Sequence, residues 1–164
     1  MLTHLCLMRH AKSSWDNPEL SDHARPLNKR GRKSADMIGQ TLHGRGYAPQ
    51  LIWSSDSART RETARRLVRA IPGPQSAHYS NALYHASAPD MLRFMDSQGE
   101  PERERLMLLA HNPGMSELFE YFSGQPHSVP TAATAVFKRS GAGSWLSPES
   151  WTLIDLLLPR ELMA

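Results

Sequence analysis

Three short segments of the chain are almost continuously apolar and lack the polar positions that a helical repeat of 3.6 residues would require. This pattern, in runs of four to six residues, is typical of strands that are buried on both faces of a sheet. The three segments are Thr3–Met8, Leu51–Ser54 and Arg105–Ala110.

Longer amphipathic segments separate and follow these strands. Ala35, Ile38 and Leu42 fall on one face of a helix, and Gly44 follows the predicted end of that helix. Pro72-Gly73-Pro74 would stop the next helix. The predicted helices run from a cap at Asn28 to about His43, from a cap at Asp56 or Ser57 to about Ala70, from Pro89 to about Ser97, and from Asn112-Pro113 to about Phe122.

Three more segments have strand character: Gln75–Tyr79 as a short edge strand, and Thr134–Lys138 and Trp151–Leu157 as a pair around a Gly- and Ser-rich turn. Strands that alternate with helices predict a single-domain three-layer α/β/α sandwich with a largely parallel central sheet, spanning residues 1–164. The segment from about Ala11 to Leu27 is longer than a connection usually needs, which favours a functional loop.

Basic and imidazole side chains follow the three apolar strands. Arg9 and His10 end the first, Arg59 comes shortly after the second, and His111 follows the third. In open parallel sheets, ligands bind beyond the carboxyl ends of the strands. Two arginines can clamp a phosphoryl group bidentately, and a neutral imidazole can attack phosphorus. No cysteine or carboxylate adjoins these histidines, so the pattern predicts a phosphate site and no metal site.

Composition narrows the class of protein without naming its function. A chain of 164 residues with 40% apolar and 21% charged residues is expected to be globular, and no apolar run is long enough to span a bilayer. The single cysteine, Cys6, fits a reducing compartment, and the N-terminus lacks a secretory signal, so a cytoplasmic location is expected. The net charge of +3 is modest, and the basic clusters lie on amphipathic helices without interleaved aromatic residues. No nucleic-acid partner, membrane contact or cofactor is therefore expected, and a monomer is the expected state.

Three sequence blocks carry a resemblance to a known family. The runs LMRHAKSSW, SSDSARTRETA and LLAHNPGMSEL resemble, in this order, the signature blocks of the histidine phosphatase superfamily, also called the phosphoglycerate mutase-like family. The Ala-Lys-Ser-Ser-Trp that follows the Arg-His pair, together with RPLNKRG and ALYHAS, is similar to the SixA-type phosphohistidine phosphatases. The resemblance extends from residue 3 to about residue 122.

The resemblance implies roles for individual residues. His10 would be the nucleophile that forms a phosphohistidine intermediate, Arg9 and Arg59 the arginines that bind phosphate, and His111 the second histidine on the phosphoryl oxygens. Ser13 and Asn17 are further candidates to line the phosphate pocket. Thr63 and Ala64 match the family's Thr-Ala pair, for which a packing role is expected.

The chain departs from the family at two places. Where many members carry a glutamate that protonates the leaving group, the sequence Ser80 to His85 contains no carboxylate, and the next one is Asp90. SixA-like sequences tend to have an acid directly before Arg-Pro-Leu, where this chain has Ala24 and, two residues earlier, Asp22.

The absence of this acid favours substrates whose leaving group does not have to be protonated by the enzyme. An imidazole leaving group, with a pKa of about 6.5, can carry its own proton, whereas an alkoxide cannot. The expected enzyme is a metal-independent phosphatase acting on phosphohistidine in a protein, such as a phosphorelay or phosphotransfer component. The alternatives are a phosphomonoesterase of the same superfamily acting on small phosphorylated molecules, and a phosphate-recognition module without catalysis.

Overall fold

A computed structural model of the protein, described here for residues 1–163, contains one six-stranded sheet with helices on both faces. This arrangement confirms the predicted α/β fold with a largely parallel central sheet. The strands are β1 His4–Arg9, β2 Leu51–Ser55, β3 Ser76–Ser80, β4 Arg105–Ala110, β5 Thr134–Arg139 and β6 Trp151–Leu157.

The strand order β3-β2-β4-β1-β5-β6 places the three apolar strands of the sequence side by side in the middle of the sheet. β1 pairs in parallel with β4, and β4 with β2, so the carboxyl ends of all three meet at one edge. β5 runs antiparallel to β1 and also to β6, as expected for two strands joined by a turn.

The helices lie close to their predicted positions. Asn28 caps the first and accepts a hydrogen bond from the Gly31 amide, and Ser57 caps the second through the Thr60 amide. The fourth begins at Gly114, and the Asn112 side chain, which precedes it, accepts a hydrogen bond from the Ser116 amide. A short helix near the C-terminus has too few residues to show a period and was not predicted. The helices are α1 Lys29–Gly44, α2 Ala58–Ala70, α3 Ala88–Gln98, α4 Gly114–Ser123 and α5 Pro159–Leu162.

Two apolar clusters cover the two faces of the sheet. Successive residues of β1 enter them alternately: Leu5 and Leu7 belong to the cluster that contains side chains of α3 and α4, and Cys6 and Met8 to the cluster that contains those of α1 and α2. Alternation along a strand directs neighbouring side chains to opposite faces. The central strands are therefore buried on both sides, which leaves the space beyond their ends as the place where polar side chains can gather.

The long loop between β1 and α1 is held against the sheet edge. Ser13 and Leu27 form an isolated antiparallel bridge, and the Asn28 amide donates to the Lys12 carbonyl over 3.0 Å. Gly31 in the first turn of α1 makes this closeness feasible, since a Cβ there would lie 2.1 Å from the Lys12 oxygen. A larger residue at this position would push the loop away from the strand ends.

No helix within residues 1–163 is both long enough and apolar enough to cross a lipid bilayer.

Candidate active site

An open cavity of about 400 Å³ lies beyond the carboxyl ends of the central strands. Most of the residues that line it have polar side chains, and four of these side chains are cationic. The wall consists of Arg9, His10, Lys12, Ser13, Trp15, Asp22, Arg25, Arg59, His85, His111, Asn112 and Thr131. The structure thus brings together Arg9, His10, Ser13, Arg59 and His111, five of the candidate site residues of the sequence analysis. We call this space, which is the candidate active site, the catalytic cavity.

His10 is held in one orientation at the end of β1. Its Nδ1 lies 2.7 Å from the carbonyl oxygen of Ala11, which can only accept, so Nδ1 carries the proton and Nε2 keeps its lone pair. Burial lowers the pKa of His10 to about 4, against the opposing effect of the Ala11 carbonyl and with the help of Arg59, Arg9 and Arg25. The ring is therefore neutral near pH 7 and has the form that a nucleophile needs.

His111 and Arg59 form a second unit on the cavity wall. The Arg59 guanidinium is only a donor, and its Nη2 lies 3.2 Å from His111 Nδ1. Nδ1 therefore accepts, and His111 Nε2 donates to the Ser55 hydroxyl over 2.8 Å. Burial, followed by the nearby His10 and Arg59, lowers the pKa of His111 far below its ordinary value. Without a bound anion, His111 is neutral.

Arg9 is another cationic residue of the cavity wall. Its Nη1 donates to the Val129 carbonyl over 3.0 Å, while its buried Nε has no hydrogen-bond partner in the described part of the chain. Burial and the proximity of Arg59 lower the pKa of Arg9, which indicates that the two guanidinium groups share one region of the cavity. Two close cations with few counter-charges favour an anion between them.

Asp22 links the loop after β1 to the rest of the wall. Its Oδ2 accepts from the Tyr84 hydroxyl at 2.6 Å, from His85 Nε2 at 2.9 Å and from Arg59 Nη2 at 3.0 Å, and its Oδ1 accepts from Arg25 Nη1 at 2.8 Å. Burial alone would raise the pKa of Asp22, but the hydrogen bonds from Tyr84, His85 and Arg59 outweigh it and hold this pKa well below its usual range. Asp22 is therefore a carboxylate that orients donors and has no proton to give.

Arg25 also belongs to this loop and lines the cavity. It is 7% exposed, donates to the Ser13 hydroxyl and to the Ser14 carbonyl, and lies with its guanidinium carbon 3.3 Å from the centre of the Trp15 ring. These contacts fix the Ser13 hydroxyl in the cavity wall and hold the indole at the mouth.

Sequence reasoning assigned no role to Arg25, Tyr84 or His85. The signal for them was present, because Arg25 begins the RPLNKRG block, and Tyr84 and His85 lie in ALYHAS. Thr63, for which packing was expected, is buried, donates to the Arg59 carbonyl over 2.7 Å and accepts from the Ala11 amide over 3.2 Å. It therefore ties the helix that carries Arg59 to the backbone beside His10.

Asn17 and Asp90 lie outside the catalytic cavity. The side chain of Asn17 is turned into its own loop, where Oδ1 accepts from the Glu19 amide over 3.1 Å, as Asn commonly does in turns. The prediction that Asn17 lines the phosphate pocket is therefore not supported. Asp90 forms a capping box with Ser87 at the start of α3. Its carboxylate therefore serves the first turn of this helix.

Comparison with known proteins connects this site to a family. Residues 5–84 match the family model of the histidine phosphatase superfamily, branch 1. An uncharacterised chloroplastic protein of Arabidopsis thaliana is 34% identical over 169 residues, which cover 94% of this chain and 77% of that protein.

Among solved structures, the protein of Agrobacterium tumefaciens assigned as the phosphohistidine phosphatase SixA is 32% identical, with a TM-score of 0.82 over 97% of this chain and 99% of its own. At 17% identity, a protein of Escherichia coli assigned as an α-ribazole-5′-phosphate phosphatase shares the fold, with a TM-score of 0.69 over 96% of this chain and 98% of its own.

Proposed function

This chain belongs to the histidine phosphatase superfamily and is of the SixA type, and we propose that it hydrolyses phosphohistidine on a protein through a covalent intermediate on His10, without a metal ion. The observation that carries the proposal is the state of His10. Its Nδ1 donates to the Ala11 carbonyl, and its low pKa leaves Nε2 unprotonated, with a lone pair that can attack phosphorus.

The reaction has two steps. In the first, the lone pair of His10 Nε2 forms a bond to phosphorus while the bond from phosphorus to the leaving nitrogen breaks. The leaving imidazole takes that electron pair and departs neutral, because its other ring nitrogen already carries a proton. In the second, water attacks the phosphorus of phospho-His10, the P–N bond breaks and its electron pair returns to Nε2. Inorganic phosphate leaves with both protons of the water, and His10 is neutral again. Each step is a displacement at phosphorus, for which positioning and charge stabilisation are the main demands.

Arg9, Arg59, Ser13 and His111 are the residues that we assign to the phosphoryl oxygens. The two arginines offer planar sets of donors that match phosphate geometry. Arg25 keeps the Ser13 hydroxyl at the same wall. A phosphate dianion beside His111 would raise the pKa of that histidine and draw Arg59 toward itself, so that Nδ1, which accepts from Arg59 in the absence of an anion, could become a donor.

The carboxylates near the site support a phosphoramidate substrate. Asp22 is held ionised by its donors and therefore cannot protonate a leaving group. Asp90 is engaged by Ser87 and Arg93 at the start of α3. A phosphohistidine needs less protonation of its leaving group than an alkyl phosphate does, because imidazole is a weaker base than an alkoxide.

The second candidate is a phosphomonoesterase for small molecules. It is favoured by the fold shared with the Escherichia coli protein and by the opening of the catalytic cavity, which would admit a small phosphate ester as readily as a side chain. A module that only recognises phosphate is less well supported, since His10 and both arginines are present.

A panel of substrates tests the proposal directly. Phosphohistidine proteins, free phosphohistidine, aryl phosphates and sugar phosphates should be compared by kcat/KM, with a metal chelator in every reaction. We expect phosphohistidine proteins to be hydrolysed fastest and the chelator to have no effect. Faster turnover of a sugar phosphate would favour the phosphomonoesterase, and loss of activity with the chelator would contradict the metal-independent mechanism.

A further inference from the structure

A second cavity, of about 190 Å³, adjoins the catalytic cavity. Lys12 and Thr131 line both, so the two spaces share a wall. The second cavity lies between the start of α1, the segment around Pro130 and the start of α5, and Lys12, Arg30 and Arg160 supply its charge. We call it the basic cavity.

The three cations of the basic cavity have no carboxylate partner within residues 1–163. Elsewhere on the same helical layer, Arg32 pairs with Glu62 at 2.7 Å and Arg66 with Asp36 at 2.9 Å. Within the described residues, no ion pair therefore compensates the positive charge of the basic cavity. Like charges gathered around one concave space raise the local concentration of anions.

Ser34 provides an independent indication that something polar binds there. It lies in the wall of the basic cavity and is 5% exposed, yet the only acceptor for its hydroxyl in the described chain is the Met163 sulfur at 3.6 Å. A thioether is a weak acceptor, and a buried hydroxyl with so poor a partner is unusual. An anionic oxygen in the cavity would satisfy it.

We propose that the basic cavity binds a second anionic group carried by the same substrate whose phosphoryl group enters the catalytic cavity. Arg30, Arg160 and Lys12 would contact the anion, Ser34 would donate to it, and Pro130, Leu158 and Pro159 would pack against the carbon atoms next to it. In a phosphoprotein the group is an Asp or Glu carboxylate close to the phosphohistidine, and in a small molecule it is a second phosphate. The inference rests on the proposed function only in placing the phosphoryl group beside His10.

The test compares substrates that differ in the second anion alone. One arm uses phosphohistidine peptides with a single glutamate, or alanine, at successive positions on either side of the phosphohistidine. The other uses an aryl phosphate with or without a second phosphate on a linker of increasing length. Both arms are run on the wild type, on the double variant Arg30→Ala/Arg160→Ala and on Ser34→Ala.

The matched control is Arg65→Ala/Arg103→Ala. It removes the same charge from two exposed arginines that line neither cavity, so it accounts for any general loss of electrostatic attraction. Thermal unfolding of each variant confirms that the fold is retained.

We expect at least one substrate with two anions to bind the wild type better than its partner with one anion. The double variant should raise the KM of that substrate about tenfold, the loss expected for one charge-assisted hydrogen bond, with kcat unchanged. Ser34→Ala should raise the same KM by a smaller factor, and substrates with one anion should be unaffected.

The two arms distinguish the sources of the anion. A benefit confined to the peptides identifies an acidic side chain of a protein, and one confined to the aryl series identifies a second phosphate. No benefit in either arm, or an equal loss in the control variant, overturns the basic cavity as a subsite. If the peptides are not hydrolysed at all, the proposed function fails, while the aryl series still reports on the basic cavity.

Discussion

The floor and the rim of the catalytic cavity are built in different ways. The floor consists of Arg9, His10, Arg59 and His111, which extend from strand ends or from the first turn of α2. The rim consists of Asp22, Arg25, Tyr84 and His85, which come from two loops and from the short 3-10 turn at Asp22–Ala24. The strands and helices therefore fix the positions of the floor residues, whereas the positions of the rim residues depend on contacts among their own side chains.

Exposure differs between most members of the two regions. His10, Arg59 and His111 are 6%, 4% and 3% exposed, whereas the side chains of Asp22 and His85 are 40% and 59% exposed. The exceptions are Arg9 in the floor, which is half-buried, and Arg25 in the rim, which is buried. A single carboxylate, Asp22, joins the rim to the floor through its contact with Arg59. Substitutions in the floor should therefore act on the chemistry itself, and substitutions in the rim should act through position and binding.

The largest effect is expected from the floor, with His10→Ala. This change should abolish turnover and leave the thermal midpoint close to that of the wild type, because the imidazole serves chemistry rather than packing. Labelled substrate should leave an acid-labile, base-stable phosphoryl group on the wild type and none on the variant. An alkali-labile adduct, or label retained by the variant, would show that the nucleophile is a residue other than His10.

Arg59→Lys tests whether shape or charge matters in the floor. An ammonium keeps the charge but loses the planar set of donors that reaches Asp22 and His111 at the same time. The expected loss of transition-state stabilisation is about 2–4 kcal/mol, the scale for removing one preorganised donor. Measured kcat/KM near that of the wild type would show that Arg59 serves only as a positive charge.

Asp22→Asn tests whether one carboxylate organises the rim. The amide keeps one acceptor, but it loses the charge and turns an NH2 group toward donors that need an acceptor. We expect kcat/KM to fall about tenfold, the lower end for losing a charged hydrogen-bond partner, since the side chain is partly exposed.

Asp16→Asn is the matched control for this change. Asp16 belongs to the same loop and is exposed, and its carboxylate makes no ion pair in the described chain. Equal losses in the two variants would point to the general charge of the loop, and no loss in Asp22→Asn would contradict its organising role.

The placement of the floor residues could be predicted from the sequence because the strands that precede them can be recognised there. Continuous apolar runs identify β1, β2 and β4, and parallel pairing then brings Arg9, His10 and His111 to one edge. The rim could not be derived in this way. Its contacts join Asp22 to Tyr84, 62 positions away, and they depend on side-chain rotamers that no periodicity encodes. The position of the Asn17 side chain also depends on a contact that no periodicity encodes, the hydrogen bond that its Oδ1 accepts from the Glu19 amide.

A leaving-group series with His85→Asn tests whether the rim supplies a proton. If it does not, rates across aryl and alkyl phosphates should fall steeply as the leaving-group pKa rises, with equal slopes in the wild type and in the variant. The variant should be slower by about threefold at every point, since it loses one hydrogen bond to Asp22. A shallow slope in the wild type that becomes steep in the variant would instead make His85 the proton donor.

The smallest effect on activity is expected from Asp90→Asn, which lies beyond both floor and rim. Asp90 Oδ2 accepts from the Ser87 amide over 3.1 Å, and Asp90 also pairs with Arg93. Hydrogen bonds from Ser87 and Arg93 lower the pKa of Asp90 in the folded protein. The contribution of Asp90 to stability is therefore present at neutral pH. It is lost as the pH falls from about 4, where an unfolded aspartate takes up its proton, through the lower pKa of the folded state.

The variant should therefore hydrolyse phosphohistidine at the wild-type rate and show a slightly lower thermal midpoint at pH 7, a difference that disappears in acid. Ser87→Ala is the comparison variant, because it removes the other half of the capping box and should lower stability by about 1 kcal/mol without affecting turnover. A large loss of ester hydrolysis in Asp90→Asn, but not in Ser87→Ala, would show that Asp90 contributes to activity independently of its role in the helix cap. Asp90 would then be the general acid, brought to the rim by movement of its loop, and the phosphomonoesterase would become the better description of the enzyme.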